Sequence, residues 1–300
     1  MYPLQYIEPV FRPPSEWKSL ILQVTNGCSW NRCTFCDMYT AENKKFKPKK
    51  LADIEQELIT VAESGLATGR VFLADGDAMM LPFNRLKDIL LLIKQYLPNV
   101  TRVSSYCLPR NLTNKTVQQL AELAKLGLTL VYVGCESGDD EVLELIEKGE
   151  SYQSSLVALQ KIKQAGMKSS VMILNGLGGP ELSLQHAVNS ARLMNEAQPD
   201  FLSTLVVSFP LGVERFAANF TRHNKQAFRL LNQQELFSEM KILLSALALD
   251  KTIFRSDHAS NYLVLKGVLG KDKAQLLNTV QLAIEQSNQI PIRQEWQRGL

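Results

Sequence analysis

Three of the chain's five cysteines, Cys28, Cys33 and Cys36, stand within nine residues in the spacing C-x4-C-x2-C, with Trp30 and Phe35 between them. Thiolates are soft ligands that suit zinc, copper(I) and iron–sulfur clusters. A structural zinc wants four protein ligands. Cys107, Cys135 or His258 could supply the fourth, but the sequence holds no second closely spaced pair. Three thiolates on a four-iron cluster leave one iron open to an outside ligand, which is the sharper reading of a three-cysteine loop. An odd, unevenly spread set of cysteines also argues against a disulfide scaffold.

The elements that must position this loop are written in hydrophobic periodicity. Apolar, β-branched runs recur at residues 20–25, 70–75, 101–106, 128–134, 168–176 and 201–209. Amphipathic segments of helical length lie between them. Residues 51–65 carry Ile54, Leu58 and Val61 at helical spacing and close on Gly65. Residues 114–127 open on Asn114 as a cap and close on Gly127, and residues 151–166 and 182–197 repeat the scheme. Strand and helix in alternation imply right-handed crossovers and a parallel sheet, and near-continuous apolar strands fit a sheet covered on both faces. Six units predict an α/β fold, a partial (β/α)6 TIM-like barrel with a parallel sheet; an open doubly wound sheet has the same pattern. Residues 1–17 read as an N-terminal segment, 18–212 as the core barrel and 213–300 as a C-terminal α+β extension packed on it.

In parallel βα folds active sites gather at the carboxyl ends of strands, and that is where the cysteine run falls, directly after the first strand. The net charge of +3 is too small to call for a nucleic-acid partner. No stretch approaches the ~20 apolar residues of a membrane span, and the N-terminus lacks the pattern of a secretory signal. The expected setting is the cytoplasm.

The loop resembles the cluster loop of radical S-adenosylmethionine (SAM) enzymes, whose usual spacing is C-x3-C-x2-C; one extra residue separates Cys28 from Cys33 here. The resemblance spans residues 18–210. It implies a 4Fe–4S cluster on Cys28, Cys33 and Cys36, with SAM on the open iron and Phe35 near its adenine. In that family a Gly-Gly-Glu-like turn after the second strand holds the SAM amino group; here Asp75, Gly76 and Asp77 stand there, with a shorter carboxylate. The fourth strand ends in "GCES", similar to the coproporphyrinogen-oxidase-like members, where Glu136 would contact the sugar or amino-acid part of SAM. Lys148, on the following helix, would pair its carboxylate, replacing the commoner Arg. Gly176 and Gly178 match the adenine-binding turn, while Met172 replaces a carboxylate of some relatives.

The resemblance implies reductive cleavage of SAM to a 5′-deoxyadenosyl radical, an electron donor of the flavodoxin or ferredoxin type, and an unidentified small-molecule substrate. A carrier that keeps the fold without turnover, like the heme-trafficking relatives, is the competing class. Tyr106 and Arg110 after the third strand, with Ser104 beside them, and His258 in the polar stretch 256–262 are the substrate-side candidates; Asp257 and Asn261 share that stretch. Cys107 and Cys135 read as core residues, His186 as structural, and the run "KKFKPKK" at 44–50 as a solvated charge loop.

Overall fold

Each β-branched run becomes a strand, and each amphipathic stretch between them becomes a helix. The computed structural model describes residues 4–224 and 227–298. The chain divides into two compact units. The first gathers Met1–Asn31, Met38–Val133 and Gln160–Ser169; the second gathers Arg32–Asp37, Gly134–Leu159 and Ser170–Leu300.

In the first unit β1 (Leu20–Gln23) leads into a two-residue strand, β2 (Thr25–Asn26), which pairs antiparallel with β3 (Lys47–Pro48). Helix α1 (Leu51–Glu63) buries Ile54, Leu58 and Val61, the stripe its spacing predicts. Then come β4 (Arg70–Ala74), α2 (Phe83–Tyr96), β5 (Arg102–Cys107), α3 (Val117–Lys125) and β6 (Leu128–Glu136). β1 pairs parallel with β4, β4 with β5 and β5 with β6. The cap of α3 is Thr116, not Asn114: its hydroxyl accepts the Gln119 N–H while the Gln119 side chain reaches back, a reciprocal box that Asn114 lacks.

Besides Arg32–Asp37, the second unit takes in the end of β6 and α4 (Asp140–Leu145); α5 (Tyr152–Gln164) starts in it and ends in the first. β7 (Lys168–Asn175), α6 (Gly179–Ala197) and β8 (Phe201–Val206) complete the expected strand series. Beyond them lie α7 (Glu214–Asn224), α8 (Gln233–Ala246), β9 (Ile253–Ser256), β10 (Leu265–Val268) and α9 (Leu269–Glu285). β7 pairs parallel with β8, β8 pairs parallel with β9, and β10 turns back antiparallel. The C-terminal extension thus supplies one further parallel strand, β9, and one antiparallel strand, β10. The protein is a mostly parallel α/β fold, and no described helix is long and apolar enough to cross a membrane.

Candidate cofactor site

In the first unit the cysteine loop meets the turn after β4 through two glycines. Gly27 and Gly76 both have positive φ, +72° and +75°. A Cβ on Gly76 would lie 2.3 Å from the Gly27 carbonyl oxygen and 3.0 Å from the Cys28 nitrogen. Only bare backbone permits this approach. Thr25 Oγ1 donates to the Asp75 carbonyl at 2.7 Å, and Asp75 N–H donates to the Thr25 carbonyl at 3.1 Å, lacing the two segments together. Gly76→Ala is expected to lower the melting temperature and reduce iron loading together. Gly65→Ala, at φ +70° with nothing within 4 Å of its Cβ, is the control. It should cost only the left-handed strain, ~1–2 kcal/mol, and leave loading intact.

The two carboxylates of this turn differ. Asp75 is fully buried against Lys44, also fully buried, at 2.7 Å. Burial pushes the Asp75 carboxyl above its ordinary value, and Lys44 opposes the shift. Lys44 thus leaves the solvated run in which its neighbours sit, because a buried carboxylate needs a counter-charge. Asp77 is also buried; burial raises its carboxyl, and the Ser29 hydroxyl, which donates to Oδ2, opposes. Asp77 Oδ1 is buried with no hydrogen bond within normal geometry, and Asn111 also helps to hold the carboxyl down.

Trp30, between the first two cysteines, lies under the Arg110 guanidinium, 3.8 Å from its ring centroid. The arginine expected to face substrate is thus stacked on the cysteine loop, a contact of the kind that favours Arg over Lys. Tyr106 packs edge-to-face with Phe72, centroids 5.2 Å apart, and with Tyr132 at 6.3 Å. Beside it Ser104 is fully buried and its hydroxyl has no partner.

In the second unit the rest of the loop is a tight turn: Cys36 N–H donates to the Cys33 carbonyl at 3.2 Å and Thr34 N–H to the Ile146 carbonyl at 3.0 Å. Phe35 packs against an apolar cluster that includes Leu145, Ile146, Phe216 and Phe220. Lys148 Nζ lies 5.8 Å from its ring centroid and 3.0 Å from Glu136 Oε1. Lys148 is in the turn after α4, not on the helix: α4 ends at Leu145. Burial alone would lower its ammonium pKa; the charge and hydrogen bond of Glu136 together with the nearby Cys33 and Cys135 thiols oppose it, and the net shift is upward. Glu136 closes β6 at φ +65°, a left-handed conformation that a non-glycine residue enters at a cost. Gly134, two residues earlier, makes room for the pair, since a Cβ there would lie 2.3 Å from Glu136 Oε1 and 3.4 Å from Lys148 Nζ. The glycine of "VGCES" is the signal for this, readable only once the pair is seen.

Gly176, at φ +82°, and Gly178, the N-cap of α6, form the turn after β7. Glu239 on α8 is buried there. Its Oε1 accepts from Gly176 N–H at 2.7 Å and from Asn175 Nδ2 at 3.3 Å, and its Oε2 accepts from Ser183 Oγ at 2.6 Å. Glu239→Ala would leave these buried donors without acceptors, ~1–3 kcal/mol each where truly unsatisfied. A loss of several kcal/mol in denaturant unfolding is expected, with Glu239→Gln, which keeps one acceptor, losing less. Asn261, in the polar stretch 256–262, accepts from Val206 N–H at 3.0 Å and donates to the Thr204 carbonyl at 2.8 Å, closing the end of β8. His258 Nδ1 accepts from Ser260 N–H at 3.2 Å, and burial lowers its pKa. His186 bridges Ser137 Oγ at 2.8 Å and the Leu174 carbonyl at 3.0 Å, a structural place.

The donor chemistry fits an iron–sulfur cluster. Cys28, Cys33 and Cys36 are partly exposed, while Cys107 and Cys135 are buried. Burial pushes the Cys135 thiol up to about 12, so it stays protonated. Among the described residues no three His, Cys, Asp or Glu side chains stand in a ready-made cage; gathering a thiolate set is coupled to binding the metal.

Parallel strands with helices between them and three cysteines in the loop after the first strand define the class: an α/β protein of mostly parallel sheet. The chain belongs to the radical SAM superfamily: the model of that family matches residues 22–194, more than half of the chain. The family's cofactors are a 4Fe–4S cluster and SAM. The heme chaperone HemW of Buchnera aphidicola subsp. Schizaphis graminum is 23% identical over 245 residues, covering 77% of this chain and 62% of the relative. The chain thus spans less than two thirds of that curated relative's length. Among solved structures, coproporphyrinogen III oxidase (HemN) of Escherichia coli aligns with a TM-score of 0.57 at 18% identity, over 76% of this chain and 52% of that one. Methylornithine synthase (PylB) aligns with a TM-score of 0.52 at 16% identity, over 87% and 68%. These likenesses are of fold.

Proposed function

We propose that this chain is a radical SAM enzyme in which Cys28, Cys33 and Cys36 hold the 4Fe–4S cluster. When bound, the cluster and SAM would supply one-electron radical chemistry that draws hydrogen from a small-molecule substrate. The chain's own residues bind, orient and exclude water. The Asp77 carboxylate would accept the SAM ammonium, Lys148 would meet its carboxylate, and the glycine backbone at 176–178 would admit the adenine. Arg110, Tyr106 and His258 remain the substrate-side candidates. A flavodoxin or ferredoxin-type protein would supply the electron, and the cytoplasm is the setting such a cluster needs.

The observation that carries this reading is the Glu136–Lys148 pair: buried, built on a strained strand end, spared by Gly134, and facing Phe35 of the cysteine loop. Perturbed, buried charge held in a strained backbone gathers at functional sites. The test is incubation of the anaerobically reconstituted protein with dithionite and SAM. Accumulating 5′-deoxyadenosine supports the enzyme; its absence from an iron-loaded protein refutes turnover.

A second reading, a heme or cofactor carrier that keeps the fold, draws on the likeness to HemW. Heme titration separates the two: tight stoichiometric binding without 5′-deoxyadenosine would favour the carrier.

A further inference from the structure

Helix α7 lies outside the six-strand series, yet its first turn sends Arg215 into the cysteine loop. Arg215 Nη2 donates to the Cys33 carbonyl at 3.0 Å and the Cys36 carbonyl at 2.8 Å, and Nε donates to the Thr34 carbonyl at 3.3 Å. Nη2 also lies 3.3 Å from Asp37 Oδ1. One planar guanidinium thus gathers three carbonyls of a single tight turn, two of them belonging to Cys33 and Cys36. The helix that carries it is fixed from its other side: Phe216 and Phe220 are buried in the cluster against which Phe35 packs. One turn on, Asn219 Nδ2 donates to the Leu145 carbonyl at 2.9 Å and lies 3.1 Å from Glu147 Oε1, at the turn that ends in Lys148.

We infer that Arg215 is a positioning residue for the cluster: it holds the Cys33–Cys36 turn in the form that retains iron. This rests on reading the cysteines as cluster ligands. Helix electrostatics give no other reason for its place, since a cation in a first turn opposes the helix dipole. The pairing with Asp37 is not the reason either. The Arg215 side chain is 46% exposed, and ion pairs so exposed contribute little. What remains is the fork, whose several fixed N–H donors match three carbonyls; an ammonium on a flexible stem does not reproduce that geometry.

The experiment compares wild type, R215A, R215K and N219A after anaerobic reconstitution, reading iron and sulfide per chain, the rate of iron loss to a chelator, and the melting temperature. Removing a group that orients metal ligands typically costs ten- to a hundred-fold in retention. R215A and R215K should both lose iron roughly ten-fold faster or more, with melting temperatures close to wild type because a half-exposed side chain leaves no cavity. N219A, which touches no cysteine residue, should lose iron at the wild-type rate. Wild-type retention in R215A, or its full rescue by R215K, overturns the inference; so does equal loss in N219A, which would make α7 a general support. If R215A fails to fold, R215K carries the test. If wild type itself takes up no iron, the cluster reading falls, and this inference with it.

Discussion

Replacing Cys28, Cys33 or Cys36 with Ala, one at a time, is expected to abolish 5′-deoxyadenosine formation and most iron loading, while Cys107→Ala retains both. On the proposed reading each of the three would supply one thiolate from the same loop. Cys107 is 2% exposed and its thiol donates to the Leu108 carbonyl at 3.3 Å. Cys135 is fully buried, with a thiol pushed up to about 12 that does not ionise at neutral pH. The loop thiols are partly exposed, so their removal should cost little folding stability. The signature is lost iron with an unchanged melting temperature; Cys107→Ala should do the reverse, lowering the melting temperature and losing no iron. Iron analysis and thermal melts on the same preparations check it.

Lys148→Met is expected to destabilise the protein by about 3–5 kcal/mol, the cost of leaving one member of a buried pair uncompensated. Lys148 is 3% and Glu136 11% exposed at the side chain, so solvent relieves little of that cost. Glu136 is moreover held at φ +65°, and without its partner nothing offsets that strain. The double variant Lys148→Met with Glu136→Gln should recover much of the stability, since a neutral pair of similar volume removes the buried charge. SAM cleavage should be lost in both. Denaturant midpoints of the two variants give the stability arm, and 5′-deoxyadenosine assays give the functional one. Equal stability of Lys148→Met and wild type would contradict the buried pair.

The parts legible in the sequence are those that repeat a residue type at a fixed period. Leu22, Val71, Val103 and Val131 mark strands because β-branched and apolar residues recur in short runs, and three cysteines in nine positions are visible at sight. Features that depend on which individual charge is buried were not legible. Lys44 sits among lysines that face water, and only the buried Asp75 sets it apart. Glu239 looks like any polar position of an amphipathic helix, although it faces the Gly176 turn. β9 was obscured because Arg255 interrupts its apolar residues and the polar stretch from Asp257 follows directly. Arg215 is 179 residues beyond Cys36, and no local pattern links a helix start to a loop so distant. Asn114 and Thr116 compete as caps over three residues, and only Gln119, three beyond Thr116, decides between them.

The central claim is that this cysteine loop holds a cluster that SAM reaches. The most direct test is the electron paramagnetic resonance spectrum of the anaerobically reconstituted, dithionite-reduced protein, recorded with and without SAM. The account predicts about four irons per chain and a reduced-cluster signal whose g values shift when SAM is added. A protein that takes up one zinc and no iron, or whose cluster signal is indifferent to SAM, would contradict it.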